Sequence, residues 1–236
     1  MLYRQVKRQL INDIQSGFAA PGAALPNEKD LAQRFQVSVG TVRRAVDELV
    51  AEHVLLRQQG RGTFVGKLDR ERFMFQFFKI APRDGPSEFP EVRLHKFSKS
   101  RANQVEAQAL GLHGNQSVFR IENVLHLQGK PVIHDKIAIS EAMFPGLNQA
   151  ALTARTNTIY GHYQSAFGVT IVEADERVRS EAVLSDSAQL LHLTEGTPVL
   201  RIDRVAHTFD RKPAEFRISI VDTQSFDYVS RMREMT

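Results

Sequence analysis

The spacing of apolar residues changes along the chain, from a period of three to four residues to short alternating runs. Apolar side chains between residues 3 and 14 follow helical spacing, and Gly17 ends that run. Asn27 can cap a second helix over residues 28–35. Ser38 is the predicted N-cap of a third helix, whose apolar stripe consists of Val42, Ala45, Val46, Leu49 and Val50.

Two short runs after the third helix predict a β-hairpin. They cover residues 55–58 and 63–65, and Gly60 and Gly62 lie between them. Three helices followed by a small hairpin is the layout of a winged helix-turn-helix. We therefore assign residues 1–66 to a DNA-binding domain, 67–89 to a linker and crossover, and 90–236 to a second domain. The linker contains the aromatic run FMFQFF, and a loop with Pro82, Pro86 and Pro90 follows that run.

The second domain alternates helices and strands. Helices are predicted over residues 103–110, 158–167 and 185–193, with Ser185 as the N-cap of the last. Strands are predicted over residues 118–127, 131–139, 169–183, 198–209 and 213–223. Because several strands are joined as hairpins, we expect an antiparallel sheet with helices packed on it, and an α+β protein as a whole.

Composition excludes several classes of protein. Hydrophobic residues make up 42% of the 236 residues, which is enough for a core, and the absence of cysteine excludes disulfides and thiolate metal sites. The N-terminus lacks an apolar signal core, and no run of about 20 apolar residues could span a membrane. We therefore expect a soluble cytoplasmic protein.

The positive charge is confined to the first third of the chain. Residues 1–70 contain 11 Lys and Arg against 7 Asp and Glu, whereas residues 71–236 contain 20 of each. A basic domain attached to a neutral one suits phosphate binding by the first domain. A solvated surface with a chance asymmetry would give the same numbers, so the charge alone does not decide between them.

Residues 25–65, LPNEKDLAQRFQVSVGTVRRAVDELVAEHVLLRQQGRGTFV, closely resemble the DNA-binding domain of the GntR family of transcription regulators. The shared landmarks are the Leu-Pro start, the Leu-Ala helix, the Val-Ser turn, the Thr-Val-Arg-x-Ala recognition helix and the Gln-Gly-x-Gly-Thr-Phe-Val wing. The resemblance implies a winged helix that binds double-stranded DNA.

The face of the third helix opposite its apolar stripe carries the candidate DNA contacts. Arg43 and Arg44 can read guanine in the major groove, and Ser38 and Thr41 can donate to phosphates. Arg61 at the wing tip can reach the minor groove or a phosphate. By resemblance, the family's contacts fall on Lys29, Val39, Gly40, Thr41, Arg43, Gln59 and Gly60. The alternative is that Arg43 and Arg44 form only a solvated helix face.

The second domain resembles the UTRA effector-binding domain of the HutC-type subfamily, which is related in fold to chorismate lyase. The matching pieces include Val118-Phe119-Arg120-Ile121, Gly129-Lys130-Pro131-Val132 and Lys212-Pro213-Ala214-Glu215. Members that bind phosphorylated sugars carry two arginines at positions that fall here on Asn123 and Leu125. Leucine offers no donor to a dianionic phosphate. We therefore expect an effector that is not a sugar phosphate.

Other candidate effector ligands are single polar residues on the predicted strands and one helix. Asp135 could hold an amine, hydroxyl or imidazole, or it could form a cross-strand salt bridge, for example with Arg120. Arg120 and Arg217 are candidate anion anchors, and Glu215 shares a face with Arg217. Tyr160 could place its hydroxyl in the pocket or belong to the core.

The sequence indicates neither a metal nor a cofactor. His126 and His134 flank a hairpin turn and could meet, but the spacing supplies no third ligand, and two surface histidines are the commoner case. No Ser-His-Asp order, phosphate-binding glycine loop or HExxH motif occurs.

The function expected from these patterns is a metabolite-responsive repressor. It would bind a palindromic operator as a homodimer and be released by a small ligand. Two alternatives remain open at this point: an architectural DNA-binding protein without an effector, and a lyase-like enzyme domain fused to a DNA-binding domain.

Overall fold

A computed structural model describes residues 2–15, 17–52, 54–67, 73–74 and 76–230. The chain forms two units. Unit 1 comprises residues 1–69 and 158–172, and unit 2 comprises residues 70–157 and 173–236. The predicted division of the chain placed 158–172 in the second domain, whereas the structure groups this segment with the N-terminal residues.

Unit 1 begins as a winged helix. Helices α1 (Leu2–Gln15), α2 (Glu28–Phe35) and α3 (Val39–Ala51) precede a hairpin of β1 (Leu55–Gln58) and β2 (Gly62–Val65). The predicted caps are confirmed, because the Asn27 side chain accepts from two α2 amides and the Ser38 side chain accepts from the Thr41 amide. The core is apolar, as helical spacing predicted, and includes Leu10, Leu31, Val42, Leu49 and Leu55.

The second segment of unit 1 contains helix α6 (Ile159–Phe167). Thr158 caps it, and Gly168 ends it in the left-handed conformation with φ of 67°. The Gln164 side-chain amide donates to the backbone oxygen of Gly66 at 3.2 Å, which ties this helix to the end of the winged-helix segment.

Unit 2 is built on a six-stranded antiparallel sheet with the order β4-β5-β6-β9-β8-β7. Strand bounds are β3 Ile80–Pro82, β4 Glu91–Arg101, β5 Ser117–Leu127, β6 Lys130–Ser140, β7 Glu173–Ala182, β8 Pro198–His207, β9 Pro213–Val221 and β10 Phe226–Tyr228. Helices are α4 (Gln104–Leu110), α5 (Gln149–Ala154) and α7 (Ser185–Leu191), and a 3₁₀ turn covers Phe209–Arg211. Strands β3 and β10 pair as a separate ribbon. The predicted α+β class is confirmed.

The two faces of this sheet differ in what covers them. On one face, which we call the helical face, α4 and α7 pack over apolar residues that include Val118, Ala138, Phe216 and Ile220. The other face carries Asn123, Asp135, Arg217 and Arg204 in aligned register, and we call it the cluster face. Apolar residues at one end of that face pack with Ile80 and Phe226.

The sequence patterns were wrong at several element ends. The strand expected over 169–183 starts only at Glu173, and α7 ends at Leu191, where His192 adopts φ of 56°. Ser185 is the first residue of α7 and not its cap; Leu184 holds the cap position without a side-chain hydrogen bond. Strand β4 was not predicted, because its exposed charged residues hide the alternation of an edge strand.

Candidate DNA-binding groove and buried polar cluster

The start of helix α3 presents polar groups to solvent. Ser38 caps the helix: its hydroxyl accepts from the Thr41 amide at 3.2 Å and lies 2.9 Å from the Thr41 hydroxyl. Gly40 next to it is exposed, so backbone can approach a ligand closely here. The free N–H groups of a helix start favour an anionic partner such as a phosphate.

A groove of about 670 Å³ runs between the α2–α3 pair and the wing of unit 1. Six of the ten predicted DNA contacts line it: Lys29, Val39, Arg43, Gln59, Gly60 and Arg61. The wing tip turns at Gly60, whose φ of 73° suits a residue without a side chain. The structure therefore brings residues that are 30 positions apart in sequence to one concave surface.

Two carboxylates hold two arginines of this groove, Arg43 and Arg57. Glu28 accepts from Arg43 Nε at 2.8 Å and lies 3.5 Å from an Arg57 guanidinium nitrogen. Arg57 also pairs with Asp47 at 2.8 Å. Arg43 remains 61% exposed at its side chain, so its guanidinium is oriented but still accessible to DNA.

The other two predicted arginines rest on aromatic rings. The Arg44 guanidinium lies 4.2 Å from the centre of the Tyr3 ring of α1, and Arg61 lies 5.9 Å from the Phe64 ring of the wing. A cation over an aromatic face gains a modest attraction. Arg44 therefore packs on an aromatic ring whereas Arg43 pairs with a carboxylate, and the structure distinguishes these neighbouring arginines.

The cluster face of unit 2 holds a buried charge triad. Arg217 Nη1 donates to Asp135 Oδ2 at 2.9 Å, and Arg217 Nε donates to Glu215 Oε1 at 2.9 Å. All three side chains are at most 5% exposed as residues. The Ser219 hydroxyl donates to the second oxygen of Asp135 at 2.5 Å. Buried charges are tolerated when they are paired and hydrogen-bonded, as they are here.

A second charged pair lies beside the triad. Arg204 Nε donates to Glu176 Oε1 at 2.6 Å, and Arg204 Nη2 donates to the backbone oxygen of Phe77 at 2.6 Å. The Tyr228 hydroxyl donates to Glu176 Oε2 at 2.5 Å. Burial, reinforced by this hydrogen bond to Glu176, raises the pKa of Tyr228 to about 12.

Asn123 and Leu125 lie on the same face as the triad. Asn123 is 2% exposed and is paired in register with Asp135, and Leu125 is 5% exposed. Among the described residues, none donates a hydrogen bond to Asn123 Oδ1. A buried acceptor without a donor is costly, so this atom marks a place where a donor would be stabilising.

Comparisons with known proteins identify the family of the two parts of the chain. The model of the bacterial regulatory proteins of the gntR family matches residues 2–65, and the model of the UTRA domain matches residues 88–227, more than half of the chain. The chain belongs to the gntR family of regulators with a UTRA domain. Members of this family bind DNA and are not enzymes.

Several relatives of this gntR-family chain are transcriptional repressors. A fructoselysine utilization operon repressor of Escherichia coli (strain K12) is 27% identical over 90% of this chain and 87% of its own length. The repressor NagR of Bacillus subtilis (strain 168) is 27% identical over 100% of this chain and 96% of its own.

A solved ligand-binding domain is also similar to this chain. The ligand-binding domain of a GntR-family regulator from Bordetella bronchiseptica matches with a TM-score of 0.63 and 30% identity, over 66% of this chain and 96% of that one. No helix among the described residues of the regulator is long and apolar enough to cross a bilayer.

Two other predicted effector ligands have partners of their own. Arg120 is on the helical face, where its guanidinium forms a two-point pair with Glu106 of α4 at 2.6 Å and also donates to Ser100 Oγ. Asp135 therefore pairs with Arg217 and not with Arg120. Tyr160 belongs to unit 1, where it is fully buried, and its ring lies 5.9 Å from that of Tyr163.

His126 and His134 are not opposite each other in the sheet, because His126 is in register with Pro131 and His134 with Val124. His134 is buried on the helical face, its Nδ1 lies 3.0 Å from the Ser187 hydroxyl and its Nε2 lies 3.5 Å from Glu122. Burial lowers the pKa of His134, and the charge of Lys136 adds to that effect. No cluster of metal ligands occurs within the described ranges.

Sequence reasoning missed several residues of both sites. Glu28 and Arg57 of the groove carry no signal beyond ordinary surface charge. Arg204, in contrast, occupies the same alternating positions as Leu200 and Ile202 on β8, and Ser219 shares its face of β9 with buried Val221. A charged or polar residue that replaces an apolar one in such an alternation indicates a buried polar site.

Proposed function

We propose that this protein is a cytoplasmic repressor that binds a palindromic operator as a homodimer and is released by a small metabolite. The groove of unit 1 is the observation that carries the DNA-binding part. It joins the exposed N-terminal face of the recognition helix, through Val39 and Arg43, to the wing tip, through Gln59, Gly60 and Arg61. A recognition helix in the major groove and a wing in the minor groove would use these two borders.

The proposed DNA contacts have separate roles. Arg43 would read a base, because its guanidinium is exposed and oriented by Glu28. Lys29, Ser38, Gly40 and Thr41 would hold phosphates, and Gln59 to Arg61 would hold the wing against the backbone or minor groove. Arg44, whose guanidinium packs over the Tyr3 ring, would contact a phosphate. Val39 would contribute only an apolar contact.

The proposed effector site is the cluster face of the UTRA domain, with Asn123, Asp135, Glu215 and Arg217 as its polar residues. A sugar phosphate fits this site poorly. Asn123 and Leu125 occupy the positions that the resemblance gives to phosphate-binding arginines, and Arg217 is already bound by two carboxylates. The effector would bind more tightly to a domain arrangement that separates or reorients the two winged helices of the dimer. Its binding would therefore weaken the binding of DNA.

Operator selection from random-sequence DNA tests this function. The full-length protein should enrich a sequence with two-fold symmetry, and its mass on that DNA should correspond to two chains. Small-molecule extract from the cells that express the protein should then release the labelled operator. Enrichment of no sequence would contradict the regulator role, and enrichment of a single asymmetric site would contradict the dimer.

A further inference from the structure

The DNA-binding groove of unit 1 has an apolar part that solvent reaches. Its lining includes apolar side chains of two kinds. Leu25, Leu31 and Val46 are at most 8% exposed and belong to the core. Pro26 is exposed and Val39 is half-buried, so these two present apolar surface to whatever enters the groove. A partner in the groove therefore meets apolar groups beside the charged residues.

Val39 is the better placed of these two residues for contact with a base. It is the first residue of α3, directly after the Ser38 cap, and a recognition helix contacts base edges with its N-terminal residues. Pro26 precedes the Asn27 cap of α2, and the helix before a recognition helix crosses the DNA backbone. In the docking proposed above, Val39 would therefore meet base edges and Pro26 would not.

The chemistry of a valine side chain limits what it can recognise. Valine has neither a donor nor an acceptor, so the polar edge of a guanine, adenine or cytosine beside it would lose water without gaining a hydrogen bond. Thymine is the base that presents a methyl group, at C5, in the major groove. Contact between valine and this methyl is favourable because it removes apolar surface from water.

Arg43 fixes where such a thymine should lie. Val39 and Arg43 are one helical turn apart on α3 and both line the groove, and Cβ atoms at this spacing are about 5–6 Å apart. Successive base pairs are about 3.4 Å apart. The bases that these two side chains contact should therefore be separated by about one or two base-pair steps.

We propose that Val39 binds the C5 methyl of a thymine, on either strand, about one or two base pairs from the guanine that Arg43 binds. The proposal rests on the DNA-binding function proposed above, and it specifies part of the operator: each half-site contains this thymine and this guanine at a fixed spacing. Arg43, oriented by Glu28 and 61% exposed, supplies the hydrogen-bonded contact, and Val39 supplies a contact that depends on shape alone.

Base analogues in the selected operator test this pair of contacts. Deoxyuridine replaces one thymine at a time and removes only its methyl group, and 7-deazaguanine replaces one guanine at a time and removes its N7 acceptor. Fluorescence anisotropy gives the Kd of each DNA for wild type, Val39→Ala and Arg43→Ala. Val50→Ala is the matched control, because Val50 is a half-buried valine of α3 outside the groove lining.

We expect one thymine in each half-site whose replacement by deoxyuridine raises the Kd of wild type about fourfold, the effect of one buried methyl group. Val50→Ala should show the same increase, whereas Val39→Ala should bind the two DNAs equally well, because the two changes remove the same contact. The guanine whose 7-deaza form weakens binding by wild type but not by Arg43→Ala should lie about one or two base pairs away. If Val39→Ala does not fold, Val39→Ser replaces it, with the same loss of discrimination expected.

A half-site without a methyl-dependent thymine would overturn the proposal, and so would a thymine that Val39→Ala still distinguishes from deoxyuridine. A thymine farther from the Arg43-dependent guanine would also overturn it, because neighbouring positions of α3 could not contact both bases. In each of these cases an operator has been selected, so the proposed regulator function stands. Failure to select any sequence would contradict that function and this proposal with it.

Discussion

The DNA-binding groove and the buried cluster use the same residue types in opposite ways. Arg43 is held by one carboxylate and keeps 61% of its side chain exposed, whereas Arg217 is held by two carboxylates and its side chain is only 6% exposed. An exposed arginine exchanges its partner for a phosphate or a base at little cost. A buried arginine with two partners is part of the fold. The comparison shows that the burial of an arginine, and not its charge alone, distinguishes a residue that can contact DNA from one that stabilises the fold around a proposed ligand site.

The largest effect is expected from breaking the buried triad. Arg217→Met leaves Asp135 and Glu215 without their shared partner and should lower the free energy of unfolding by about 3–5 kcal/mol. Urea unfolding measures this loss. The control is Arg179→Met, which breaks an exposed pair with Asp203 and should cost less than about 1 kcal/mol. Equal losses in the two variants would show that the triad is not a buried charge network.

The next largest effect concerns the groove. Arg43→Ala should weaken operator binding by about 1–3 kcal/mol and leave the urea midpoint unchanged, because the lost guanidinium contacts DNA and not the core. Fluorescence anisotropy with the selected operator measures the affinity. Arg93→Ala, on the exposed edge strand of unit 2, should bind like wild type. Unchanged affinity of Arg43→Ala would refute the recognition-helix assignment.

A third prediction concerns His134, whose pKa is lowered by burial. As the pH falls, the His134 imidazole takes up its proton near pH 6.5 in the unfolded chain and only at lower pH in the folded chain. The free energy of unfolding should therefore fall as the pH drops below about 6.5. The slope contributed by this one group is at most about 1.4 kcal/mol per pH unit. His134→Gln should flatten this part of the profile in urea titrations from pH 7.5 to 5.5. An identical slope in wild type and variant would show that His134 does not titrate differently on unfolding.

The smallest effect tests whether Glu28 orients Arg43. Glu28→Gln should tighten binding to non-specific DNA by about two- to threefold, because a negative charge leaves the groove. It should also reduce the preference for operator over non-specific DNA, since Arg43 loses its partner. Glu52→Gln removes the same charge beside Lys7, away from the groove lining, and should keep the preference of wild type. Equal behaviour of the two variants would contradict the orienting role.

The winged helix could be predicted from sequence because its signals are local. Asn27 and Ser38 cap the helices that follow them directly, and the stripe from Val42 to Leu49 lies on one helix. The buried cluster could be predicted only in part. Asp135 and Arg217 are 82 positions apart and meet because β6 and β9 are neighbours in the sheet. Alternation puts Arg120 and Asn123 on opposite faces of β5, but the sequence does not show which of the two faces carries the triad.

The segment 158–172 shows a different limit. Its helix was predicted from apolar spacing and from Gly168, but its membership in unit 1 follows from a contact such as that of Gln164 with the Gly66 oxygen. Nothing in the local pattern encodes that partner. Tyr160 was accordingly assigned to an effector site in the second domain, whereas the residue lies in unit 1.

Release of the operator by fractionated extract tests the central claim most directly. Small-molecule extract from cells that express the protein is separated on an anion exchanger, and each fraction is added to the protein on labelled operator. We expect a fraction free of sugar phosphates to release the operator from wild type and to act more weakly on Asn123→Leu. Release by the retained fraction alone, which contains the sugar phosphates, or by neither fraction, would contradict the account.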